Sequence, residues 1–103
     1  VTQLQKLLES VKDHALNREQ VEQYHSELTH LFSAVMLERA DLKKKEALYF
    51  ADKMRENPDE SDARIKRQWR VTTDGLRLIE LEAYKTILPK EISSLKNRIY
   101  ALL

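Results

Sequence analysis

The chain has 103 residues, a size that suits one small domain. One Gly and two Pro point to helices with few connections rather than a turn-dense all-β fold, and the lack of Cys excludes disulfides, thiolate metal sites and cysteine nucleophiles. Lys and Arg total 18 against 17 Asp and Glu, so a formal charge of +1 gives no overall pull toward nucleic acid, and no apolar run reaches the roughly 18 residues of a transmembrane helix.

No signal-peptide pattern opens the chain, and the start at Val1 suggests that an initiator Met or a few residues precede it. Together with the absence of Cys, this fits a cytoplasmic setting. Residues 2–16 read as a first helix. Thr2 and Gln5 make a capping-box pair, and Leu4, Leu7, Leu8, Val11 and Ala15 follow at helical spacing. Asn17 with Gln20 repeats the cap signal, which places a turn near Leu16 and Asn17.

From Arg18 to Glu56 there is neither Gly nor Pro. Val21, Tyr24, Leu28, Leu31, Phe32, Val35, Leu42, Tyr49 and Phe50 hold a helical stripe, with Ala47, Ala51 and Met54 beside it. About 39 residues at roughly 1.5 Å each make a rod near 58 Å. A compact domain of this size has a radius of gyration of about 13 Å, so the helix protrudes, breaks or packs along a partner. Its weakest stretch is Asp41 to Glu46, where Lys43, Lys44 and Lys45 interrupt the apolar surface.

Residues 57–61 are the clearest loop, with Asn57, Pro58, Asp59 and Ser61 each favouring turns. Asp59 or Ser61 can cap a short helix over residues 62–70, which places Ile65 and Trp69 on one side. The alternation of Ile65, Trp69 and Val71 with charged residues also fits an edge strand, but the helix-rich remainder favours the helix. Thr72 to Gly75 mark a turn or a fresh cap, and a last helix covers about 74–102.

In that last helix Leu81, Leu88, Leu95 and Leu102 recur every seven residues, with Leu78, Ile92 and Ile99 between them. Only Lys85 breaks the stripe. Such a seam needs cover, from the rest of the chain or from another copy, which makes these seven residues the candidate self-association seam. Pro89 lies inside the helix and predicts a kink or a restart there. The unbroken spacing of Leu88, Ile92 and Leu95 favours the kink.

Catalytic chemistry finds little support. Glu22 with His25 and Glu27 with His30 match the Glu-x-x-His spacing of di-iron bundles. The two His are five residues apart, roughly 140° around one helix, so they cannot converge on one metal. Ser93 and Ser94 lack a nucleophile elbow, one Gly cannot build a phosphate loop, and Asp41, Glu46 and Asp52 are isolated carboxylates on a charged helix. The chain reads as no enzyme, with no cofactor and no metal.

Arg64, Lys66, Arg67, Arg70 and Arg77 surround Trp69 and face one acid, Asp74, across that stretch. An exposed Trp beside converging Arg side chains would make a polyanion site. A buried Trp with a solvated basic rim is the favoured alternative. These six residues are the candidate partner- or polyanion-binding set.

The run Trp69 to Gly75, followed by Leu88 to Tyr100, resembles small helical early-region proteins of tailed phages and prophages of Gram-positive bacteria. The likeness covers mainly the C-terminal 40 residues. It implies a phage context in the host cytoplasm, with binding to DNA, recombination proteins, or host nucleases and defence complexes. It transfers no catalytic residue.

The expected architecture is an all-α single domain. It is an elongated bundle or antiparallel hairpin in which the long central helix packs on the last one, in a homodimer or larger oligomer. A last helix of about 27 residues spans about 40 Å, so a straight central helix overhangs it by roughly 18 Å, and a second subunit is the simplest cover. The expected function is to bind and modulate a protein of the nucleic-acid machinery. The alternative is a nucleic-acid-binding accessory factor that uses the basic cluster. No membrane contact is expected.

Overall fold

The computed structural model describes residues 2–11 and 17–102, and all four of its regular elements are helices: α1 (Thr2–Val11), α2 (Arg18–Glu56), α3 (Asp62–Arg70) and α4 (Thr73–Ala101). The expected Thr2 cap, the side chains of Leu4 and Val11, and the extension of the first helix to residue 16 lie outside the described residues. The chain divides into two compact units. One comprises residues 1–34 with 84–103, and the other residues 35–83.

In the first unit, the N-terminal part of α2 runs antiparallel to the C-terminal part of α4. Asn17 and Gln20 close a reciprocal capping box at the start of α2. The Asn17 Oδ1 accepts from the Gln20 N–H at 2.9 Å, and the Gln20 Oε1 accepts from the Asn17 N–H at 3.1 Å. The core holds Leu7 of α1, Val21 and Leu28 of α2, and Tyr84, Leu88 and Leu95 of α4. The two helices contribute at seven-residue spacing, the repeat that keeps one apolar face inward. Helix α4 passes through Pro89 without ending, which removes the restart. Lys85, whose carbonyl loses its i+4 donor, and Pro89 are both exposed, so water can take up the freed acceptor.

In the second unit, the core holds Val35 and Leu42 of α2, Ile65 and Trp69 of α3, and Leu78 and Leu81 of α4. The weakest stretch of the long helix, Asp41 to Glu46, stays helical, for a local reason. Asp41 pairs with Lys45 at 3.6 Å and Lys43 with Glu46 at 3.5 Å, at the helical spacings that favour such pairs, while Leu42 is buried between them. Beyond Glu56, the Asn57 carbonyl accepts from the Glu60 N–H to make a tight turn. Of the two cap candidates, Ser61 acts, its Oγ accepting from the Arg64 N–H at 3.3 Å. The edge-strand alternative for residues 63–71 is thereby replaced by helix.

The α3–α4 junction is closely packed. One hydroxyl serves both helices: the Thr72 Oγ1 donates to the Trp69 carbonyl at 2.6 Å and accepts from the Gly75 N–H at 3.0 Å. A Cβ on Gly75 would overlap the Trp69 carbonyl oxygen and lie 2.8 Å from its carbon. Glycine is required by this close approach, not by a left-handed conformation, since no described residue has positive φ.

Candidate partner-docking surface

The six residues of the basic set fall into three environments, all within residues 35–83. Trp69 is only 5% exposed, and its ring meets Tyr49 at 5.4 Å between centroids with a tilt of 53°. It belongs to the core and offers no face on which a base could stack. Arg77 is held from α2: its Nη2 donates to the Glu38 Oε2 at 2.7 Å, its Nε approaches both Glu38 oxygens, and its Nη1 meets Glu80 at 3.3 Å. The hydrogen-bonded Glu38 carboxylate raises the Arg77 pKa above its ordinary value, against a smaller opposing effect of burial. Arg64 meets Glu60 at 3.5 Å.

Lys66, Arg67 and Arg70 remain. Among the described residues of this unit, every other Lys and Arg except Lys44 has a carboxylate within 4.0 Å; these three have none. They sit at i, i+1 and i+4 on the exposed part of one short helix, so Lys66 with Arg70 and Arg67 with Arg70 are surface neighbours about 5–6 Å apart at Cβ. Three like charges so placed repel one another, and a carboxylate-bearing surface would relieve that repulsion.

A groove runs beside them where α2, α3 and α4 of this unit meet. It consists of two adjoining hollows of about 290 and 320 Å³ that share Lys43, Glu46, Trp69 and Arg70. Beyond these shared residues, Phe50 and Lys66 line one hollow, and Leu78, Ile79 and Gly75 line the other. Lys66 and Arg70 stand on one side of the rim. Arg39 stands on the other, tied to Glu82 at 2.6 Å. Each hollow is at the small end of the range for ligand pockets, and suits one or two inserted side chains better than a whole small molecule.

The spacing of the seam leucines drew no attention to the exposed apolar side chains. Val71, Leu76 and Ile79 are 76%, 57% and 53% exposed, and of these Ile79 lines a hollow. At about 100° per residue, Leu76 and Ile79 lie on the side of α4 away from Leu81 and Leu88, and that rotation was the available signal. The candidate seam itself is turned inward. Leu78, Leu81, Leu88 and Leu95 are buried by the chain's own helices, Ile92 and Ile99 are half-buried, and Leu102 is exposed. The four buried leucines offer no side chain to a second copy.

Among the described residues, no group of three His, Asp or Glu is placed to hold a metal, and no helix is long and apolar enough to cross a membrane. His25 is half-buried and His30 exposed on α2. No family model, curated protein or solved structure matches this chain.

Proposed function

We propose that this protein is a non-enzymatic helical interaction protein that binds and modulates a protein of the nucleic-acid machinery, such as a host nuclease, a defence complex or a recombination factor. The phage context comes from the resemblance of the Trp69–Gly75 and Leu88–Tyr100 runs. The observation that carries the binding role is the juxtaposition, in one hollow, of exposed Ile79 with Arg70, a cation that lacks a counter-ion, with exposed Leu76 one turn before Ile79 on α4. Fully burying one such side chain is worth about 1.5–3 kcal/mol, so half-exposed Leu76 and Ile79 together offer roughly that much to a partner. Exposed ion pairs add only about 0–1 kcal/mol each, and serve selectivity and encounter rate more than affinity.

A phosphate backbone would gain nothing from Val71, Leu76 or Ile79, and buried Trp69 withholds its ring from bases. These two points favour a protein over nucleic acid as the partner. The test is affinity capture from a nuclease-treated Gram-positive lysate, with wild type and a Leu76→Ser/Ile79→Ser variant compared by mass spectrometry. A protein of nucleic-acid metabolism should be retained by wild type and lost from the variant. Recovery of nothing once nucleic acid is digested, with DNA bound before digestion, would favour the accessory-factor reading.

A further inference from the structure

The geometry points to an acidic amphipathic helix as the element that the partner presents to the second unit, with apolar side chains entering the groove beside Trp69 and carboxylates meeting Lys66 and Arg70, which line it. This deepens the proposed role and rests on it. Charge complementarity selects the occupant. The three α3 cations are uncompensated, whereas Arg39, Lys43 and Arg77 around them are already neutralised by Glu82, Glu46 and Glu38. The vacancy for negative charge is therefore confined to one side of the groove. A polyanion with charge on all sides would also meet the Arg39–Glu82 and Lys43–Glu46 pairs on the groove itself, where its charge gains no unpaired cation. An amphipathic helix does not suffer this, because its charges stand along one edge and its apolar stripe faces the floor. The two hollows, each of side-chain size, suit anchors spaced one turn apart on such a helix.

The test uses the full chain and three labelled probes in fluorescence anisotropy. The first is a peptide of about 18 residues with Leu at helical spacing and Glu along one edge, long enough to hold some helix. The second is the same composition scrambled to destroy the apolar stripe. The third is random-sequence duplex DNA. The patterned peptide should bind about tenfold or more tightly than the scrambled one, and its affinity should fall with salt. Lys66→Glu/Arg70→Glu and, separately, Ile79→Ser should each weaken it several-fold, while circular dichroism stays unchanged because all three residues are exposed. Equal binding of patterned and scrambled peptides, tighter binding of DNA, no binding of the patterned peptide, or indifference to both variants would overturn the inference. Running the same variants in the lysate capture separates the two levels. If a protein is still captured by Lys66→Glu/Arg70→Glu and Ile79→Ser, the inference fails while the interaction role stands. If wild type captures none, the role itself fails.

Discussion

At the scale of single residues, the α3–α4 junction decides how the cationic helix is presented. Ala at position 75 would ordinarily favour a helix by about 1 kcal/mol over Gly. Here the added Cβ meets backbone atoms of Trp69, which cannot rotate away. The clash should win, and Gly75→Ala should lower stability by about 1–3 kcal/mol, read as a lower urea midpoint. Thr72 is the second such point, because its hydroxyl satisfies groups on both helices. Thr72→Val keeps the shape and removes both bonds, so it should cost about 1–2 kcal/mol, while Thr72→Ser should stay within about 0.5 kcal/mol of wild type. A Thr72→Val variant as stable as wild type would show that this bridge contributes nothing.

At the scale of elements, α2 and α4 carry both the core and the surface. Leu28 is fully buried on α2, so Leu28→Ala should cost about 2–5 kcal/mol. Leu37 is 74% exposed on the same helix, so Leu37→Ala should change stability by less than about 0.5 kcal/mol. Equal losses by urea denaturation would contradict the assignment of faces. The Glu38–Arg77 fork joins α2 to α4 but is part-exposed, at 42% and 32% of the two side chains, and a double-mutant cycle should find about 0.5–1 kcal/mol of coupling. The Arg77 pKa is raised on folding. Its contribution is therefore fully present below the unfolded value and lost only as pH rises through the still higher folded value, so Arg77 should add no slope to stability between about pH 6 and 9.

These elements were legible where the signal was local. The Asn17–Gln20 box, the uninterrupted run to Glu56 and the Ser61 cap depend on residues within one turn of each other. The continuity of α2 through Lys43–Lys45 was less visible, because apolar periodicity lapses there while i,i+3 and i,i+4 pairs support the helix. Tertiary features were hidden for a different reason. The capture of Arg77 by Glu38 and the need for glycine at 75 each depend on a group that spacing alone does not place, whereas the favoured burial of Trp69 is what the structure shows. On α4 the strong heptad of leucines drew attention to the face that became core, and away from Leu76 and Ile79.

At the scale of the whole molecule, a net charge of +1 hides an uneven local distribution. Binding to random-sequence duplex at physiological salt should therefore be negligible. Three phosphate contacts would give a log–log salt slope of only about −2.7, and Arg67→Gln/Arg70→Gln would remove most of it. Self-association is a separate expectation. With Leu78, Leu81, Leu88 and Leu95 occupied inside the chain, exposed side chains such as Leu37 and Leu48 must supply any contact with a second copy. Sedimentation should show a mass that rises with concentration into the tens of micromolar and falls in Leu37→Ser/Leu48→Ser. A monomer throughout would exclude the homodimer.

The claim that a protein docks on the second unit is tested most directly by lysine cross-linking of the complex recovered from nuclease-treated lysate. Lys66 and Lys43 line the groove, whereas Lys90 and Lys96 are exposed on the far part of α4. Cross-links to the partner should concentrate at Lys66 and Lys43 and disappear in Leu76→Ser/Ile79→Ser. Cross-links concentrated at Lys90 and Lys96, unchanged in that variant, would contradict the account.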